Sequence, residues 1–509
     1  MIGRKTILAF SINMLKNVIG YAGLFFIARL MGAEAFGSLS YGFAYVGIFH
    51  FIADMGFGVA HIKKMSEGKD LPTCLGTYLF VRSLMTFLMA MAVLVSLLLH
   101  RVLYGKPLES SVHEGVILMA VFTFVLIDLA QIPAGTFAAR TETARQMVPD
   151  LLGKILETLL KATVAVLGLG VVMLAGASLA GALAALILYA FLFKGYSIGR
   201  PSRSMAREYI VFALPIMVIV SANAITEHLD QIMIQAFWKS EELGYYAGAA
   251  KITTLLMFAG TAVGTLIFPA ISALHSANDI PAVRRLTHRA ERYTALILFP
   301  AGMLLIYNRQ TLVGLLLGSG FQGSNAVLPY LALASIVSVI SVPYFTQIIG
   351  VSRVRMSAML SVVLMVLNVS FNLVFIPAQW GGVQLMGMGG RGAALATLLA
   401  AGVMGLLYRV IAFRVTGTRL NPSLLKCILA SVVMYAGMLG MSRLLGRTIW
   451  ADIGTSLAGS SLYVLSLMAL QERLREDCSY LLSVFSPWRM GLYIRGELRP
   501  VPMPEEEKA

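Results

Sequence analysis

The chain has 509 residues, 58% hydrophobic and only 13% charged, with 40 Lys and Arg against 25 Asp and Glu for a formal charge of +15. Its mean hydropathy of +0.80 excludes an ordinary soluble enzyme, since a soluble domain carries nearer a quarter charged residues. If ~20 residues cross a bilayer, ~14 crossings take up roughly 280 residues, a little over half of the chain.

Apolar windows between charged or turn-forming breaks predict an all-α integral membrane protein of about 14 transmembrane helices. Six spans are expected near 6–31, 36–58, 73–99, 112–135, 148–174 and 177–194. Six more follow near 206–236, 243–274, 290–308, 328–350, 355–377 and 389–413, and a final pair near 421–442 and 449–470. Arg4 and Lys5 precede an apolar run that continues to Met31, longer than the apolar segment of a signal peptide, so a retained first span is expected. The tail from Gln471 mixes Phe485, Trp488 and Tyr493 with arginines and ends in Glu505-Glu506-Glu507, a composition suited to the inner membrane surface.

The loops orient this map. Before the tail, 21 loop cations fall on one side and 7 on the other. Cytoplasmic loops collect Lys and Arg, so both termini are expected in the cytoplasm, at a cell membrane. The basic excess is then a topology signal, and no nucleic-acid partner is expected. The cysteines Cys74, Cys427 and Cys478 have no metal-ligand spacing.

A 207-residue offset aligns Phe25–Tyr41 with Ile232–Gly248, bringing Glu34 onto Glu241 and Gly37 onto Gly244. Both pairs lie in the short turn joining the first two spans of a six-span series. An offset of six helices keeps both halves in one orientation, a parallel repeat. The expected organisation is therefore two pseudo-symmetric six-helix lobes, 1–200 and 201–418, an added helix pair over 419–470, and the cytoplasmic or interfacial tail 471–509.

Several segments carry a family resemblance. Ile52-Ala-Asp54-Met-Gly56-Phe-Gly58-Val-Ala is similar to a segment of polysaccharide flippases, and Ala213-Leu-Pro215, Leu229-Asp230-Gln and Gly244-Tyr-Tyr-Ala-Gly-Ala-Ala-Lys251 resemble the start of their second lobe. Phe268-Pro-Ala-Ile-Ser, Phe299-Pro300, Asn368, Asn372, Ile376-Pro377 and Gly389-Gly-Arg-Gly-Ala-Ala-Leu-Ala-Thr397 follow in the same order over residues 1–415. The chain thus resembles the O-antigen-type polysaccharide flippases of the multidrug/oligosaccharidyl-lipid/polysaccharide exporter superfamily, which are related to the lipid II flippases. The resemblance implies alternating access between two lobes, moving a polyprenyl-pyrophosphate-linked saccharide outward. The implied partners are the lipid bilayer, that substrate and, as candidates, glycan-assembly enzymes.

Charges inside spans are costly, ~2.5–3.5 kcal/mol each on insertion scales, so those present need a wet cavity, a partner or a route to the interface. Six cations lie within or at the edges of spans: Lys16, Arg29, Arg82, Lys154, Lys161 and Lys251. A pyrophosphate crossing the membrane needs cationic partners. Lys16, Lys251, Lys154, Arg82 and Arg29 are the substrate-binding candidates. Arg29 sits near a span end, where snorkelling explains it as well, and Lys154, Glu157 and Lys161 also read as an ion-pair ladder on one helix face. The lipid II flippase branch carries arginines near Lys16 and Lys251, and lysine keeps the charge while losing bidentate geometry.

The ion-coupling candidates are Asp230, Glu227, Asn368, Asn372, Thr397, Asp54 and Asp128. Glu227 and Asp230 are i, i+3 on one helix, and two nearby carboxylates raise one another's proton affinity. Asp230, Asn368, Asn372 and Thr397 resemble the sodium site of some lipid II flippases, although a carboxylate is expected near Asn372. Helix-to-helix hydrogen bonding explains the asparagines equally. Asp54 and Asp128 are expected either to pair with first-lobe lysines or to couple protons. No cofactor is expected beyond a sodium ion or proton. Pro215, Pro269, Pro300 and Pro343 interrupt apolar helices as candidate hinges.

The alternatives are a cation-coupled multidrug exporter of the same superfamily and a membrane-embedded glycosyltransferase or polymerase. The loop near 309–327 carries no carboxylate, and the sequence has no phosphate-loop or metal array, which argues against an enzyme. Six membrane cations against five acids argue against a cationic drug.

Overall fold

The computed structural model describes residues 2–351, 354–446 and 448–470. The helices are α1 (Ile2–Asp54), α2 (Phe57–Ser66), α3 (Leu71–Tyr104), α4 (Ser111–Ala139), α5 (Thr143–Leu167), α6 (Val171–Phe193), α7 (Arg203–Trp238) and α8 (Ser240–Ser276). They continue as α9 (Ile280–Tyr307), α10 (Arg309–Leu316), α11 (Ser324–Val351), α12 (Val354–Phe375), α13 (Gly389–Thr416), α14 (Pro422–Leu445) and α15 (Ile449–Leu470). A two-stranded hairpin, Gln379–Trp380 with Val383–Gln384, joins α12 to α13. Its turn residues Gly381 and Gly382 both have positive φ, as a tight two-residue hairpin requires. The expected interfacial tail lies outside the described residues.

Every expected span falls on a helix or part of one. Among the described residues, ten helical stretches are long and apolar enough to cross a membrane, or 11 if α9 and α10, bent by 75°, form one broken span. The charged α5 is not among them. The expected boundary between 148–174 and 177–194 falls instead at Gly168 and Gly170, both with positive φ. No polar residue marks that break; left-handed glycines end α5 within a continuous apolar run. The segment 309–327, expected as a loop, forms α10 and a short 3-10 turn.

The 207-residue offset relates two breaks in the backbone. α1 is interrupted at Gly32 (φ 78°, ψ −178°). Its counterpart under the 207-residue offset is Lys239 (φ 81°, ψ 173°), which separates α7 from α8. The two breaks face each other. A Cβ on Gly37 would lie 1.8 Å from the Ser240 carbonyl oxygen, and one on Gly244 would lie 2.0 Å from that of Ala33. Ala33 and Ser240 are themselves repeat partners, so the contact is reciprocal. Only glycine lets the backbones of α1 and α8 come this close. Ser240 also accepts or donates a 2.9 Å hydrogen bond with His113 Nε2 of α4.

Around this crossing, α1 lies against α3, α4, α5 and α6 on one side and α7 and α8 on the other. α11 contacts α8, α9 and α13, and α12 contacts α7 and α13. The main apolar core draws on both sequence halves, including Ile27 and Phe36 with Leu243, Phe321 and Ile336. α14 packs on α9; on α15, Tyr463 donates to the Leu296 carbonyl of α9 at 3.2 Å, and Asp452 accepts from Thr311 of α10 at 2.6 Å. Large apolar side chains such as Phe87, Leu98, Phe191 and Leu465 point outward, as a bundle surrounded by lipid tails requires.

Lys239 holds an exposed side chain on a backbone conformation natural only to glycine, a strain of roughly 1–3 kcal/mol. Lys239→Gly should therefore raise the midpoint of thermal unfolding in detergent, and Gly32→Ala should lower it. An unchanged or lower midpoint for Lys239→Gly would contradict the strain argument.

Candidate functional site

The first candidate cluster is cationic and spans α1, α5, α7 and α8. On α5, Glu157 is bonded by Lys154 at 3.0 Å through one carboxylate oxygen and by Lys161 at 2.6 Å through the other. Ser178 of α6 donates to the same carboxylate at 3.3 Å. This position depends on a close crossing of α5 and α6. A Cβ on Gly181 would sit 2.7 Å from Glu157 Cβ, and one on Gly153 would sit 2.7 Å from the Gly181 carbonyl oxygen. On α1, Lys16 lies 3.5 Å from Asp150 of α5. Gly20 faces the Lys154 stem, its notional Cβ 3.7 Å from Lys154 Cε, while Tyr21 donates to the Lys251 carbonyl at 2.9 Å.

Lys251 differs from the other lysines here. Its side chain is exposed and makes no ion pair among the described residues. The charges within its interaction range are Lys154, Lys161 and Glu157 on α5 and Glu227 on α7. The space it faces therefore lies between helices rather than out among lipid tails. Lys16, Lys154 and Lys251 are thus brought to neighbouring helices, joined there by Lys161.

The second cluster is anionic and buried, at the junction of α7, α8, α12 and α13. Asp230 accepts from Asn372 at 2.5 Å, from Tyr246 at 2.8 Å and from Thr397 at 3.1 Å. Asn372 also donates to Asn368 at 3.0 Å. All four residues named from the sequence meet. Glu227 does not join them: it is exposed near Lys251, whereas Asp230 is buried, so the expected carboxylate pair is not formed. The amide oxygen of Asn372 is buried without a partner. A half-turn of that amide would add its oxygen to those of Asp230, Asn368 and Thr397, a set that suits a hard cation. Tyr246 was not identifiable from spacing, because it lies on α8 beyond the Lys239 break.

Other candidates are engaged elsewhere. Arg82, a substrate-binding candidate, is buried and bonded to Asp54 at 3.0 Å and to Asp128 at 2.5 Å. His50 reaches the same Asp128 oxygen at 3.0 Å. Asp54 and Asp128 thus pair with an arginine rather than with lysines, and the group ties α1 to α3 and α4. Arg29 stacks on Phe25 at 4.6 Å and donates to the carbonyls of Gly314 and Leu315 at 3.2 and 2.8 Å. It therefore sits at the negative end of α10. Arg409, one of the 21 cations assigned from the sequence to cytoplasmic loops, lies within α13 and bonds buried Glu291 of α9 at 2.8 Å, where Tyr344 of α11 also donates at 2.8 Å. The signal for that pair was an arginine inside the apolar 389–413 window.

The family described as polysaccharide biosynthesis protein matches residues 26–326. The probable low-salt glycan biosynthesis flippase Agl15 of Haloferax volcanii is 21% identical over 476 residues, covering 93% of this chain and 97% of its own length. Among solved structures, the lipid II flippase MurJ in its inward closed conformation superimposes with a TM-score of 0.73 at 14% identity, over 92% of this chain and 99% of that one. An inward-facing multidrug resistance MATE family transporter of the MOP superfamily gives 0.64 at 16% identity, over 81% and 99%. At such identities the structural likeness concerns the fold.

The Arg82 cluster makes its structural role testable. Removing one member of a buried pair costs roughly 3–5 kcal/mol, while replacing both with apolar groups is often close to neutral. Arg82→Met should lower the unfolding midpoint in detergent sharply, and Arg82→Met with Asp128→Leu should recover most of the loss. A double variant no better than the single one would refute the pairing argument.

Proposed function

The chain belongs to the polysaccharide biosynthesis protein family, and from that premise we propose that it flips a polyprenyl-pyrophosphate-linked oligosaccharide or polysaccharide repeat unit from the cytoplasmic to the outer leaflet. It is a flippase-like, multi-pass membrane transporter of the MOP superfamily, with relatives that are transporters rather than enzymes. In this reading residues 1–200 and 201–418 are the two lobes and 419–470 an added helix pair, giving about 14 crossings with both ends in the cytoplasm. The reciprocal contact of 33–37 with 240–244 then closes the outer end, and the crevice faced by Lys251 opens inward, where the substrate is made.

The observation that carries the reading is the exposed Lys251 ammonium, without an ion pair among the described residues and within range of Lys154 and Lys161. These three ammonium groups have a single bonded carboxylate among them, that of Glu157, an excess of positive charge that is costly in a bundle of apolar helices and that a diphosphate would offset. The same charge repels a cationic drug, which disfavours the multidrug alternative despite the shared fold. Lys16, near Asp150, guards the approach along α1. Arg82 and Arg29, already engaged, are left out of the substrate site.

The coupling ion is a separate part of the proposal. The oxygens of Asp230, Asn368, Asn372 and Thr397 are the candidate seat for a sodium ion, or Asp230 alone for a proton. Either would supply a positive charge that neutralises a carboxylate buried among four helices. Asp54 and Asp128 both bond Arg82 in the tie between α1, α3 and α4 and are left out of the proposed coupling site.

Transport of a fluorescent polyprenyl-pyrophosphate saccharide into proteoliposomes tests the reading. Lys251→Ala should reduce the initial rate at least tenfold and Lys16→Ala several-fold, with wild-type unfolding midpoints. Full rates in both would remove the proposed site. Asp230→Asn should flatten the dependence of rate on sodium or proton gradients, and an unaltered dependence would dispose of the ion seat.

A further inference from the structure

We infer that Glu157 is a resident counter-ion that occupies the lysine seat of the diphosphate between transport cycles, and so sets how tightly the substrate binds and how readily it leaves. This rests on the reading of the lysine cluster as the substrate site. The geometry resembles a bound diphosphate: one oxygen of Glu157 carries the Lys154 ammonium and the other carries that of Lys161, at 3.0 and 2.6 Å. Side-chain exposures are only 18% for Glu157 and 14% for Lys161, so neither charge can be left to water.

The need for such a counter-ion follows from electrostatics. With the crevice empty, Lys154, Lys161 and Lys251 are three like charges within mutual range. Glu157 bonds two of them and offsets one unit of their charge, and Ser178 holds its carboxylate in place. When a diphosphate enters, its ionised oxygens take the ammonium groups. Ion pairs are then exchanged rather than created, which keeps the net affinity modest. When the saccharide lipid departs, Glu157 takes the lysines back and prevents a bare cationic seat from holding the product. The long lysine stems allow this exchange with little backbone movement. A purely structural ladder would not need its members beside a third lysine, on another helix, that has no ion pair among the described residues.

Glu157→Gln keeps the shape and the Ser178 contact but removes the competing charge. In the purified full-length protein, with farnesyl diphosphate as the binding probe, the variant should bind about tenfold more tightly than wild type. In proteoliposomes KM for the saccharide lipid should fall while the maximal rate also falls, a split that loss of structure does not produce. Glu157→Asp, too short to reach both lysines, should lie between, and it serves if the glutamine variant fails to fold. Equal or weaker binding by a folded Glu157→Gln, with wild-type binding still dependent on Lys251, would overturn the counter-ion role alone. Absence of farnesyl diphosphate binding in wild type and variant alike would overturn this role together with the substrate site.

Discussion

Charge inside an apolar bundle is the constraint from which the rest of this structure follows. With water excluded and lipid tails outside, each internal charge needs a partner supplied by the protein. Most partners come from a different helix. Arg82 on α3 draws in Asp54 of α1 and Asp128 of α4, Arg409 on α13 draws in Glu291 of α9, and Lys16 on α1 draws in Asp150 of α5. Such pairs fix helix positions in a medium where burial of apolar surface gives little preference between a neighbouring helix and a lipid. The lysines of α5 depart from this pattern. Their shared carboxylate lies on their own helix, so their ion pairs contribute little to joining helices, and Lys251 has no ion pair among the described residues. That departure sets the lysines of the proposed substrate site apart from the charges that join helices.

The repeat adds a second economy. Gly32 and Lys239, Ala33 and Ser240, Gly37 and Gly244 are related by one offset, and they meet across the α1–α8 crossing. A contact between equivalent segments has the same shape on both sides, so it can separate and re-form without repacking a mismatched surface. Lys239 keeps the backbone conformation of Gly32 without glycine's freedom. Preservation of that geometry despite its strain points to the crossing angle as the property that matters.

Much of this was legible in the sequence, for identifiable reasons. Span positions follow from hydropathy because every backbone polar group in lipid must be satisfied within a helix. The Asp230, Asn368, Asn372 and Thr397 cluster was accessible through resemblance, since no spacing rule joins residues on α7, α12 and α13. Other features were not legible because their signals are local or three-dimensional. The end of α5 depends on left-handed Gly168 and Gly170 within an apolar run. The engagement of Arg82 depends on which neighbour supplies a carboxylate, and Tyr246 reaches Asp230 only after the chain reverses at Lys239. Glu227 and Asp230 share a helix and a three-residue spacing, yet one is exposed and the other buried. Periodicity locates a face without saying what lies opposite it.

The two candidate sites are not mechanically independent. Asp230 and Glu227 lie about one turn apart on α7, while Tyr246 and Lys251 lie five residues apart on α8, a rise of ~7.5 Å at 1.5 Å per residue. The hydrogen bond from Tyr246 to Asp230 therefore ties together the two helices that carry Glu227 and Lys251. A cation at Asp230 would compete with that hydroxyl for the same carboxylate and change the hold of α7 on α8. Because a helix moves nearly as a rigid rod, any shift of α8 at Tyr246 also moves Lys251 relative to Lys154 and Lys161, as well as Gly244 against Ala33. The proposed ion seat, anion seat and outer closure share one element. A coupling free energy between them needs such an element with two arrangements biased by both ligands, and α8 is the helix that touches all three.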